Sequence, residues 1–276
     1  MKKLFVLVLF ILLVTNCSET VPPTNDNFVV EGFVTADFAV DNIKVKMTSP
    51  VNATDISNAP IANATVVVSD VNGEYVLDYD PATEKYAYNG NDLNVATGQS
   101  LSLEVRSGDR TATAQTLVPE PPTGLVLTDN VITIPQLNVN IFLPQRLQDL
   151  FQTARINLTW DAVEGQKYFV VIEHKEPSLD PILPDQIPDE TQELIGQFRF
   201  ITEPSENAEF EIIGLALQTY GLHVAKVFSV NQEYADLFDN LEQDSRDLNE
   251  PPSNVFNALG IFTAFAVDSL EFEVRR

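Results

Sequence analysis

Leu101-Ser102-Leu103-Glu104-Val105 alternates apolar and polar residues, breaks at Ser107-Gly108-Asp109, and gives way to a second run from Thr111 to Val118. A period of two places Leu101, Leu103 and Val105 on one face of an extended strand. A short break containing glycine between two such runs reads as a hairpin turn. The same grammar extends toward the N-terminus. Phe28 to Val34 is the first run, and Ile43-Lys44-Val45-Lys46-Met47 sets its apolar residues opposite both lysines. Ala64 to Ser69, Glu74 to Tyr79 and Lys85 to Tyr88 follow. Between two of them, Asp70-Val71-Asn72-Gly73 predicts a tight turn, with Asn-Gly supplying positive φ. About seven strands between 28 and 118, each with one face to bury, predict a β-sandwich.

Toward the C-terminus the pattern pauses and restarts. Pro119, Pro121, Pro122, Pro135 and Pro144 keep the junction 119–153 extended, because proline fixes φ and lacks a donor. Leu125 to Ile134 reads as one or two edge strands, and Leu147, Leu150 and Phe151 fit a short helix or turn over 145–153. Ile156, Leu158 and Trp160 then share a face, a turn covers 162–166, and Tyr168, Val170 and Ile172 return. Further strands are predicted over 194–201, 208–213 and 222–230. Tyr234, Leu237, Phe238 and Leu241 change the period to that of a helix over 232–243. The expected fold is mainly β, with two tandem Ig-like sandwiches over 28–118 and 154–276 and a short helix near 232–243. Trp160 is expected to be a core anchor of the second.

The N-terminus is of another kind. Lys2 and Lys3 precede an apolar run from Leu4 to Val14, then Thr15, Asn16 and the single cysteine, Cys17. A basic start, a run of about ten apolar residues and a polar exit form a secretory signal, too short for a membrane-spanning helix. Val14-Thr15-Asn16-Cys17 resembles a bacterial lipobox. That resemblance implies cleavage before Cys17 and a covalent lipid on its sulfur. Acyl chains would then anchor the chain without a spanning segment. Ser18 to Asn27 reads as a tether, and Ser18 after the cysteine favours the outer membrane by analogy with enteric sorting.

The formal net charge is −24, from 16 basic and 40 acidic residues. Such a surface repels nucleic acid, so a nucleic-acid partner is excluded. With its one cysteine assigned to the lipid, the chain has none for disulfides, and its cores must hold by packing.

Three segments carry a wider resemblance: Val29 to Thr35, Pro60 to Tyr75, and Gly98 to Val105. They are similar to the carboxypeptidase-regulatory-like, transthyretin-like sandwich. Together with Pro119-Glu120-Pro121-Pro122 they look like a family of Bacteroidetes outer-membrane lipoproteins of unknown function, often encoded beside TonB-dependent transporters. The most specific match is the stretch from Asn249 to Phe265, where Asn254, Val255, Gly260 and Phe262 hold the family's places. Leu158 to Ile172 resembles the first hairpin of a fibronectin type III module. The resemblance implies outer-membrane localisation, a lipid anchor and a TonB-dependent transporter as partner, with no established activity.

Residues that would carry chemistry are sparse. No Gly-x-Ser-x-Gly, His-Glu-x-x-His or phosphate-binding glycine loop occurs. The two histidines, His174 and His223, fall at strand ends far apart in sequence and read as structural. Glu176 to Glu193 mixes prolines with Asp180, Asp185, Asp189, Glu190 and Glu193 without the spacing of a calcium loop. Asp268-Ser269-Leu270 fits a short bacterial O-glycosylation pattern. Catalytic residues, metal ligands and cofactors are therefore expected to be absent, apart from the lipid on Cys17. A binding or accessory role in nutrient uptake is the leading expectation. A structural or adhesive envelope protein and a carbohydrate-active enzyme stay open as alternatives.

Overall fold

The computed structural model describes residues 28–48, 59–135, 154–182, 199–239 and 252–276. The signal segment with Cys17, the helix expected over 145–153 and most of the acidic loop lie outside them.

The alternating runs become strands, and their apolar faces meet. The first sandwich has β1 (Phe28–Thr35), β2 (Ile43–Met47), β3 (Thr65–Ser69), β4 (Glu74–Asp80), β5 (Lys85–Ala87), β6 (Ser100–Ser107) and β7 (Arg110–Leu117). One layer runs β4-β3-β6-β7, all antiparallel, and the other includes β5-β2-β1. β4 belongs to both, pairing β3 through residues 74–77 and β5 through 78–80. Val30, Val34, Ile43 and Val45 face Val66, Val68, Leu101 and Leu103 across the core. Tyr86 closes one end. Its hydroxyl donates to the Ile61 carbonyl at 2.5 Å and accepts from the Ala64 amide at 3.0 Å, so the buried oxygen is satisfied.

The β3–β4 turn departs from its predicted geometry. Neither Asn72 nor Gly73 takes positive φ. The Asp70 carboxylate instead accepts the Asn72 amide at 2.7 Å and the Gly73 amide at 2.9 Å, an Asx turn. Burial raises the Asp70 pKa, but bonds from Asn72, Gly73 and Gln99 outweigh it and hold the carboxyl below its ordinary value.

The second sandwich sets β8 (Thr123–Leu127), β10 (Arg155–Asp161) and β13 (Glu209–Ile213), in the order β13-β10-β8, against β11 (Lys167–His174), β12 (Arg199–Ile201), β14 (Gly221–Val230) and β15 (Leu259–Arg275). β9 (Val131–Thr133) adds to the β15 edge in parallel. Apart from the short β9, three strands face four, an Ig-like arrangement. Ile156, Leu158 and Trp160 pack on Tyr168, Val170 and Ile172, as their alternation requires. After β14, the helix α1 (Gln232–Asp239) follows the predicted change of period.

The last strand is one long continuous element. β15 has 17 residues, about 55 Å at roughly 3.3 Å per residue. Its first part pairs in parallel with β1, from Val29↔Leu259 to Thr35↔Phe265. Its second part pairs antiparallel with β14, from Val230↔Phe265 to Gly221↔Val274. Phe262, Ala264 and Ala266 therefore enter the first core, while Phe272 and Val274 enter the second. These positions lie on one face of the strand, so both smaller layers cover the same side of a shared sheet. On the other side Phe33, Phe169, Phe228 and Phe265 form a third cluster, and Tyr234 of α1 packs onto it. Tyr234 meets Phe265 edge-on at 4.9 Å, and Phe169 stacks on Phe228 at 4.7 Å.

Candidate functional site

Asn254, Val255, Gly260 and Phe262, the residues that carry the family resemblance near the C-terminus, prove to be a splice between β15 and the first sandwich. Asn254 donates from Nδ2 to the Phe262 carbonyl at 2.7 Å and accepts the Phe262 amide at 2.9 Å. Its amide group stands in for a neighbouring strand on the edge of β15 that β14 does not yet reach. Positive φ belongs to Asn257, at 62°, and not to Asn254. Val255 is buried in the first core, and Phe262 is fully buried there. Gly260 has φ of 113°, and a Cβ on it would lie 2.0 Å from the Val30 carbonyl oxygen. Only glycine fits that approach.

Trp160 sits in the second core, edge-on to Tyr168 at 5.7 Å, as expected of an anchor. The start of the acidic loop does not wave free. Glu176 accepts the Leu222 amide at 2.9 Å, Ile182 donates to the Gln218 carbonyl, and Arg276 grips both oxygens of Asp180 at 2.7 Å while lying over the Tyr220 ring. Asp185, Asp189, Glu190 and Glu193 fall outside the described residues. Asp268 and Ser269 are exposed on β15.

The strap from 175 to 182 covers a pair that sequence spacing concealed. His174 and His223 are directly opposite each other in the β11–β14 register, with ring centroids 5.1 Å apart. They are 49 positions apart, and only the register of two strands joins them. His223 is 97% buried, stacked on Phe272. Its Nδ1 lies 3.0 Å from the Gly221 carbonyl, which fixes the proton there and leaves Nε2 to accept from the Thr219 hydroxyl at 3.3 Å. Burial first, then the nearby His174, lowers the His223 pKa to about 4, against the raising pull of the Gly221 carbonyl and Glu176. At neutral pH the ring is uncharged. His174 Nε2 is buried without a hydrogen-bond partner among the described residues. Gly221, with φ of 101°, lets the Glu176 carboxylate lie where a Cβ would be.

The hollow between these rings and Ile172, Phe200 and Leu217 is about 20 Å³. That is room for about one water, beside the unpartnered His174 Nε2. Among the described residues no group of three or more His, Cys, Asp or Glu side chains could hold a metal ion. No helix among them is long and apolar enough to cross a membrane.

A family model matches residues 15–271, almost the whole chain. The chain belongs to DUF4249, a domain of unknown function. In this DUF4249 protein the match takes in both sandwiches and the splice that joins them. A comparison with curated proteins gave no match. Among solved structures, a two fibronectin type III domain segment from chicken tenascin is similar over 90% of this chain and 99% of its own, at 10% identity and a TM-score of 0.25. At that score the overlay adds nothing to the strand order described above.

Proposed function

We propose that this DUF4249 protein is an outer-membrane lipoprotein, anchored through Cys17, that acts as a non-catalytic binding or accessory component of a TonB-dependent uptake system. The observation that carries the reading is the single strand β15, which enters both cores behind a lipobox-like N-terminus. A body fused in this way holds its loops at fixed spacing from one another, a geometry suited to presenting a surface to a partner. The acidic surface keeps the body off anionic headgroups.

The test is a crosslinked pull-down of the native protein from membranes, with Cys17→Ser as control. Recovery of a TonB-dependent barrel with the acylated form alone supports the proposal. Recovery of the protein without any barrel replaces it with a free-standing structural or adhesive role.

A further inference from the structure

The outer face of the β4-β3-β6-β7 layer has a feature that packing does not require. Phe256 is 70% exposed, yet its backbone is fixed. It exchanges two hydrogen bonds with Thr113 on the β7 edge, donating at 2.7 Å and accepting at 3.2 Å, while the next residue, Asn257, reaches the Thr111 carbonyl from Nδ2 at 3.3 Å. Val255 points inward, so the chain offers Phe256 outward on a rigid mount. Directly opposed residues on one face of a sheet project to the same side. The register makes Phe256, Thr113, Glu104, Val67 and Val76 one transverse row. Four inter-strand spacings of about 4.8 Å give it a length of roughly 19 Å. The next row is Gln115, Ser102, Ser69 and Glu74.

Between these rows lies an open groove of about 430 Å³, lined by Ser69, Ser102, Glu104, Thr113, Gln115 and Asn254 together with Leu103 and Ala114; Phe256 stands at its end, opposite Thr113. A second hollow of about 370 Å³ continues past Gln115 toward Asn231 and Glu233. The lining chemistry narrows the ligand. Six of the eight residues lining the first hollow carry a hydroxyl, amide or carboxylate, beside Leu103 and Ala114, and no Lys or Arg lines either hollow, which disfavours a phosphate or other anion. Arg106, next along β6, is paired with Glu104. A peptide strand adding to β7 finds the edge taken: Asn257 holds the Thr111 carbonyl, Phe256 holds Thr113, and Asn231 holds the Leu117 carbonyl at 2.7 Å. What matches an exposed ring beside a row of hydroxyl and amide partners is a sugar, which has a C–H face to stack and hydroxyls to bond.

We infer that this groove, with Phe256 as its stacking platform, is a binding site for a neutral oligosaccharide or polysaccharide. Phe256 supplies the apolar contact, and Gln115, Ser102 and Glu104 supply directional hydrogen bonds. The inference stands apart from the transporter reading, because it concerns binding in solution without any barrel.

The full chain carrying Cys17→Ser is titrated by calorimetry with soluble β-1,3-glucan, xylan and α-mannan, and with a tryptic peptide pool as the competing class. The expected result is binding of at least one glycan that weakens about tenfold or more in Phe256→Ala and in Gln115→Ala. Phe256→Trp keeps it, and Ile201→Ala, an exposed apolar change on the second sandwich, leaves it unchanged. Melting temperatures of the variants should match the parent. No binding to any of the three glycans overturns the inference, as does affinity indifferent to Phe256→Ala. Binding of the peptide pool in place of glycan, abolished by the same substitution, also overturns it and makes the groove a protein-docking surface.

Discussion

A methyl group added at Gly260 would lie 2.0 Å from the Val30 carbonyl oxygen, on a backbone whose φ is 113°. Gly260→Ala is therefore expected to lower the unfolding free energy by about 3 kcal/mol or more, or to prevent folding. Asn254→Ala removes both side-chain bonds to Phe262 and leaves its amide and carbonyl unpaired beside the core, at a cost of about 2 kcal/mol. Urea denaturation measures both. His223 sets a pH dependence of definite sign. Its folded pKa lies near 4, below the ordinary 6.5 of the unfolded chain. The unfolded state thus binds the extra proton first as pH falls. The contribution of His223 is fully present above pH 6.5 and is lost progressively down to about pH 4, amounting to about 3 kcal/mol. His223→Phe should flatten the stability profile across that window relative to the parent. Equal slopes in the two proteins would contradict this. None of this was legible in the sequence. Asn254 and Gly260 were visible as matched positions, but their purpose depends on Phe262 and Val30. The histidines look unrelated until β11 and β14 are in register.

At the scale of elements, α1 covers the aromatic side of the shared sheet and ties the two sandwiches. Glu233 accepts from the buried Thr116 of the first sandwich at 2.9 Å and from Thr263 of β15 at 3.4 Å. Asn231 donates to Thr116 at 2.9 Å. Tyr234→Ala strips the cover from Phe265 and Phe169 and should destabilise by about 2–4 kcal/mol, read from thermal melts. The helix was legible because Tyr234, Leu237 and Phe238 recur at helical spacing. The short strands were legible because one face of each is wet, which forces alternation. β15 was harder to read. Ile261 to Ala266 is buried on both faces, between the first core and the aromatic cluster, so its period of two disappears into an apolar run. The turn at 70–73 was located from Asn-Gly, but its geometry follows from Asp70.

For the whole molecule, the sequence suggested two bodies divided by a proline-bearing junction, 119–153. The packing adds a dependence that the junction does not reveal. The first core draws Val255, Phe262, Ala264 and Ala266 from the far end of the chain. A fragment ending at residue 135 lacks the strand that pairs with β1 and leaves a hole where Phe262 stood. It is expected to remain unfolded by circular dichroism and to be cut rapidly by protease. Addition of a peptide spanning 252–276 should restore protection. The intact chain should melt in one transition whose calorimetric and van't Hoff enthalpies agree, whereas two independent modules would give two.

The parallel pairing of β1 with β15 has a mechanical consequence. The two strands run the same way, with Val29 beside Leu259 and Thr35 beside Phe265. Tension applied at Phe28 and at Arg276 pulls them in opposite directions along their length. The inter-strand hydrogen bonds are then loaded side by side and must rupture together. Tension between Phe28 and Leu259, which lie at the same end of the ladder, peels the bonds one after another. Single-molecule pulling with handles at 28 and 276 should therefore meet a markedly higher unfolding force than handles at 28 and 259. A chain held at its N-terminal end while something tugs on the second sandwich would bear load as a shear clamp.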